Sequence, residues 1–174
     1  MPDLTDDDRA IWEWQMWIPD LGEAGQRKLK AASVLVSRAG GLGGLAAFEL
    51  AAAGVGKLVI AHGGVLKPSD LNRQLLQTHD RIGQPRIDGI VERLRALHPR
   101  CAVVGIDAHA NDANADALVA QADLVIDAAP LFPERFALNA AAVKARKPLV
   151  ECAMHELEWH LTTVIPGRTP CLRC

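Results

Sequence analysis

None of the 174 residues is tyrosine and only three are phenylalanine. That shortage excludes no class of function, but other absences do. Four cysteines, Cys101, Cys152, Cys171 and Cys174, are too few for a disulfide scaffold in a chain this long, and they point to a cytoplasmic protein. Neither sign of charge dominates: the net charge is −2 and the isoelectric point about 6.3, so nothing favours a nucleic-acid surface. Long apolar runs are missing too. The stretch near Trp12 to Trp17 is short and broken by Glu13 and Gln15, so no membrane span is expected. Asp3, Asp6, Asp7 and Asp8 make the first residues acidic, opposite to a secretory signal. Residues 1–10 read as a mobile acidic arm, and 11–174 as a single domain.

The chain is organised around Ser33 to Gly54. A short apolar strand runs into the glycine turn Gly40-Gly41-Leu42-Gly43-Gly44, and an alanine-rich helix follows. Strand, glycine turn and helix N-terminus in that order form a cradle for a nucleotide phosphate. The turn opens, however, with Arg38 where such a cradle has its first glycine.

Upstream, Ile11, Trp12, Trp14, Trp17 and Ile18 form a dense apolar patch. It reads either as a helix packed on its own core or as a subunit contact, since tryptophan is enriched among interface anchors. Residues 22–30 predict a short polar helix. Downstream, strands are predicted at 57–61, 101–106, 123–127 and 148–152. Helices are predicted from the spacing of Ile87, Ile90, Val91, Leu94 and Leu97, at 114–121, and at 133–145. Such alternation predicts an α/β fold, a Rossmann-like and mainly parallel sheet with helices on both faces. Residues 156–164 alternate enough to add a short C-terminal strand, antiparallel to the rest.

Several segments resemble the ThiF/MoeB/HesA family, bacterial relatives of ubiquitin-activating enzymes. They are PDLGEAGQRKLKAASVLV, AGGLGG, AAAGVGKLVI, SDLNRQLLQT, IGQPR, ERLRALHP, DLVIDAAPLFPERFALN, KPLVECA and PGRTPCLRC, in family order from about residue 11 to the last residue. The resemblance implies the same fold, and a chain without the C-terminal part of full-length members. It also implies ATP- and magnesium-dependent adenylation of the C-terminal glycine of a β-grasp carrier protein, whose mixed anhydride then accepts sulfur.

Carried over residue by residue, the functional positions depart from the family. Its N-terminal arginines, which reach a neighbouring subunit's phosphates, fall within Ile11-Trp12-Glu13-Trp14-Gln15. The glycine motif becomes Arg38-Ala39-Gly40-Gly41-Leu42-Gly43, and the ribose-holding acid is replaced in His62-Gly63-Gly64. The SNLNRQ motif survives as Ser69-Asp70-Leu71-Asn72-Arg73-Gln74, with an aspartate introduced. Arg86 stands for the phosphate-contacting lysine and Pro130 for the magnesium aspartate. The resemblance therefore implies a vestigial nucleotide cleft of Gly40, Gly41, Gly43, Asn72, Arg73, Gln74 and Arg86, with Arg38, His62, Asp70 and Pro130 as departures.

Two readings of Arg38 stand: a new phosphate contact, or a side chain filling the vacated space by pairing with Asp70 or Asp127. Arg73 and Arg86 are anion ligands or plain surface charges, and His62 is read as a solvated loop histidine. Cys171 and Cys174 match the family's first zinc pair; two thiolates are half of a tetrahedral site, with Cys152 and His155 as conceivable additions.

The expected function is a non-catalytic binding or scaffold subunit in sulfur-carrier or ubiquitin-like-protein activation, without a nucleotide cofactor. It would form a homodimer or a heterodimer with a ThiF-like paralogue, and bind a β-grasp carrier protein. The alternative is an active adenylyltransferase using ATP and magnesium in thiamine or molybdenum-cofactor biosynthesis.

Overall fold

A computed structural model describes all residues, 1–174. Six strands form one sheet: β1 (Ser33–Ser37), β2 (Lys57–Ala61), β3 (Ala102–Ile106), β4 (Leu124–Asp127), β5 (Leu149–His155) and β6 (Glu158–Val164). Their order is β3-β2-β1-β4-β5-β6. The first five are parallel and β6 runs antiparallel to β5, as the sequence pattern predicts.

Helix α4 (Gly41–Ala52) and helix α5 (Arg86–Leu97) cover one face. There Val36, Leu58, Ile60 and Val103 pack with Ala47, Ala51, Ile90 and Leu94. Helix α6 (Ala115–Ala120) and helix α7 (Phe132–Lys144) cover the other, where Leu35, Val59, Val125 and Leu149 meet Leu118, Leu138 and Ala142. Both faces of each central strand are apolar because both are buried, the pattern a parallel sheet needs. Strand order reverses between β1 and β4, so a crevice opens beyond their C-terminal ends.

The first residues, read from the sequence as an arm, are in part helical. Helix α1 (Asp6–Ile11) starts there, closed by a reciprocal capping box between Thr5 and Asp8. Asp8 is buried and bonds Lys30 Nζ at 2.6 Å, with Arg100 at 3.2 Å. Burial opposes its charge, but Lys30 and the Thr5 backbone N–H outweigh it and hold the carboxyl down at about 2. Helix α2 (Glu13–Met16) and helix α3 (Gly22–Ala31) follow. The tryptophan patch divides. Trp12 is buried, stacks edge-on against His98 and donates to Ala52 O at 2.8 Å. Trp14 and Trp17 stack on each other in solvent.

Candidate functional site: a cleft at the strand switch point

Gly43 sets the close approach of α4 to β1. A Cβ there would stand 2.6 Å from Arg38 O and 3.1 Å from Ala128 Cβ. No side chain caps the start of α4, so its first N–H groups face the crevice. Arg38 itself sits at φ 61°, the left-handed region. It thus keeps a glycine's conformation at the position where the family has glycine.

A cleft of about 1180 Å³ spreads from this turn to the β5–β6 hairpin. Gly40, Gly41, His62, Asp70, Arg73, Gln74, Arg86 and Pro130 line it, together with Arg38 and Arg135. The sequence-based site residues therefore do converge. Gly43, packed against β1, and Asn72 are not among the lining residues; Asn72 Oδ1 accepts from Arg73 Nη1 at 3.0 Å.

Every guanidinium in the cleft has a carboxylate partner. Arg38 Nε and Nη2 grip Glu134 at 2.7 and 2.5 Å. Arg86 Nη2 and Nε meet Asp70 Oδ2 at 2.7 and 3.2 Å, and Arg73 lies 3.5 Å from Asp70 Oδ1. Arg135 pairs with Glu151. The expected partners of Arg38 are thus corrected. Asp70 is taken by Arg86, while Glu134 in the first turn of α7 faces the glycine turn. Burial works against the charge of Asp70, but Arg86 and the Lys67 N–H more than compensate and lower its pKa.

Two other groups depart from expectation. His62 is buried, not solvated. Burial, then the charges of Arg86 and Arg38, push it down to about 4, so it is neutral at neutral pH. Its Nδ1 and the Oε1 of buried Gln74 have no partner. Asp127, fully buried beneath α7, is pushed up to about 6 by burial despite the Ala129 N–H and Arg135.

Pro130 has no side-chain oxygen, the end of β2 runs into His62 and not an acid, and each arginine of the cleft faces a carboxylate. Arg9 donates to Glu23 Oε1 at 3.0 Å and to Leu4 O at 3.0 Å.

Cys171 and Cys174 stand 3.2 Å apart, with Leu172 N–H anchored on Asn139 Oδ1 at 3.1 Å. The Cys174 hydrogen bond first, then the Arg173 N–H and Asn139, lower the Cys171 thiol to about 7. No third His, Cys, Asp or Glu joins them. Cys152 points toward Asp127 O and lies on the opposite face of β5 from His155, so it does not extend the pair. Two thiolates do not close a structural zinc site.

Open-sheet topology, glycine turn and switch-point cleft together define a Rossmann-like α/β domain. The model described as "ThiF family" matches residues 13–174, and the chain belongs to the ThiF/MoeB/HesA family. It is 47% identical over 174 residues to "Protein HesA, heterocyst" of Trichormus variabilis, covering 100% of this chain and 65% of that protein. It is 38% identical over 165 residues to "Sulfur carrier protein adenylyltransferase" of Thermus thermophilus, covering 92% of this chain and 61% of that protein. Among solved structures, PaaA superposes with a TM-score of 0.86 at 22% identity, covering 98% of this chain and 55% of that one. The chain thus spans less than two thirds of the length of these relatives.

Sequence reasoning missed Glu134, Arg135, Glu151 and His160. Glu134 and Arg135 had a signal, two charges at the start of a helix that follows a switch-point strand. Glu151, inside an apolar strand, was visible only as an unexplained charge.

Proposed function

We propose that this chain is a non-adenylating member of its family, a binding or scaffold subunit in the activation of a sulfur-carrier or ubiquitin-like protein. The observation that carries this reading is the Arg38–Glu134 pair across the mouth of the glycine turn. A triphosphate needs uncompensated cations and a metal carboxylate. This cleft offers internal ion pairs and a proline.

The partner is a second copy or a paralogue of the same fold, together with a β-grasp carrier protein. Leu42 and Leu45, which line the cleft, and the stacked, exposed Trp14 and Trp17 are apolar groups that such a partner would cover. The sparse, unpaired cysteines support a cytoplasmic location.

The alternative, an active adenylyltransferase, is favoured by the uncapped start of α4 and by Arg73, whose side chain is 57% exposed. ATP–pyrophosphate exchange in the presence of a β-grasp carrier separates the two. The proposal expects no exchange above background, with the carrier or a paralogue retained on the immobilised chain. Robust exchange by the chain with the carrier overturns it.

A further inference from the structure

Beyond β6, residues 171–174 hold two thiols together at the surface. Cys174 N–H bonds Cys171 O at 3.0 Å, which closes a β-turn with the two sulfurs 3.2 Å apart. Such a turn keeps its first and last Cα atoms within about 7 Å, and a disulfide needs about 4.4–6.8 Å. Three contacts hold the turn in place. Cys171 packs against the apolar layer between the sheet and helices α6 and α7. Leu172 N–H donates to Asn139 Oδ1 at 3.1 Å, and Asn139 is itself buried on α7. Arg173 sets its guanidinium 5.1 Å over the Phe136 ring.

The other two cysteines are placed differently. Cys101 is buried, and Cys152 points its Sγ at Asp127 O, 3.6 Å away. Burial pushes both thiols up, away from the reactive thiolate. Cys171, by contrast, is half-buried and Cys174 exposed. A structural cysteine is buried and inert. These two are held sulfur to sulfur within reach of solvent. A Cys-x-x-Cys pair on a βαβ framework is the arrangement of a redox dithiol, and in a glutathione-buffered compartment a disulfide is ordinarily transient.

We propose that Cys171 and Cys174 are a reversible dithiol–disulfide pair, oxidised by a low-molecular-weight disulfide of the glutathione type. The exposed Cys174 thiolate attacks one sulfur of that disulfide, forms a mixed disulfide and releases one small thiolate. The Cys171 thiolate then attacks Cys174 Sγ, closes the intramolecular bond and releases the second small thiolate. Two protein thiols are oxidised, one small disulfide is reduced to two thiols, and the two protein protons pass to those thiols. Reduced thiol in excess runs both steps backwards. Leu172 lies between the two cysteines and lines the cleft, so the bond fixes part of the cleft's rim. The exchange is independent of whether the cleft adenylates.

The test equilibrates the full chain, with a chelator present, in mixtures of reduced and oxidised glutathione. Acid quenching and alkylation then trap the free thiols for counting by mass. Excess glutathione disulfide should remove two of the four thiols without leaving an adduct, and peptide mapping should join Cys171 to Cys174. Excess reduced glutathione should restore all four. In Cys171→Ser, Cys174 should stop at the mixed disulfide, with one glutathione adduct per chain. Survival of all four thiols in the oxidised buffer overturns the proposal, as do adducts that persist on the parent chain. So does a bond that joins two chains, or the same loss of two thiols in Cys171→Ser.

Discussion

Arg38 and Glu134, 96 residues apart, close on each other through two hydrogen bonds across the mouth of the glycine turn. The pair holds a left-handed arginine where a glycine would rest without strain. It also places a carboxylate at the mouth of the glycine turn. One substitution, at the first position of the motif, therefore changes backbone conformational cost and cleft charge together.

Breaking this pair from one side leaves a buried charge alone. Arg38→Ala should cost about 3 kcal/mol in urea unfolding, because Glu134 loses its partner and the left-handed residue keeps its Cβ. The double change Arg38→Gly/Glu134→Gln should recover most of that loss, since it removes both charges and the strain of about 1–2 kcal/mol. Additive losses in the double variant would contradict this account of the pair.

His62 and Asp127 give opposing pH dependences. With His62 at about 4 against an ordinary 6.5, the unfolded chain takes up a proton between those values that the folded one refuses. Its contribution to stability is therefore intact above pH 6.5 and lost as pH falls toward 4. Asp127, at about 6 against 3.8, keeps a proton when folded that the unfolded chain releases. Its contribution is best below about pH 4 and declines as pH rises toward 6. Each amounts to about 3 kcal/mol, so the two nearly cancel. Relative to the parent chain, His62→Gln should make stability fall as pH rises from 4 to 6, and Asp127→Asn should make it rise. Parallel urea midpoints for all three chains across that range would refute the assignment.

Gly43 is required by space. An alanine Cβ would stand 2.6 Å from Arg38 O and would force α4 away from β1. Gly43→Ala should destabilise by about 1–3 kcal/mol, read as a lower urea midpoint with unchanged slope. An unchanged midpoint would mean that α4 moves freely.

The tryptophans should separate by role. Trp12→Ala removes a buried ring and its bond to Ala52 O, and should cost about 3–5 kcal/mol. Trp14→Ala/Trp17→Ala should leave the monomer's stability within about 0.5 kcal/mol and weaken self-association or paralogue binding in sedimentation. Equal destabilisation by both changes would assign the exposed pair to the fold.

Strand order and both helical layers were legible because apolar runs of strand length alternate with helical spacing, as in 57–61 and 87–97. The cleft was legible as a set of positions, not as a set of contacts. Asp70 and Asp127 were the acids nearest Arg38 by motif, yet Glu134 holds it, because the first turn of α7 crosses the switch point. His62 was misplaced because nothing local distinguishes a buried strand-end histidine from a solvated one. The Asp8 anchor was hidden within four acidic residues: only the fold brings Lys30 and Arg100 to one of them.

Under the proposed function, internal ion pairs, not the shape of the cradle, keep triphosphate out. The direct measurement is calorimetric titration of ATP–magnesium into the parent chain and into Asp70→Asn/Glu134→Gln, which frees Arg38, Arg73 and Arg86. The account predicts no measurable binding to the parent and affinity at least about tenfold higher in the variant, since each desolvated charge contact contributes at least about 1.4 kcal/mol. Micromolar binding to the parent chain, undiminished beside the variant, would contradict it.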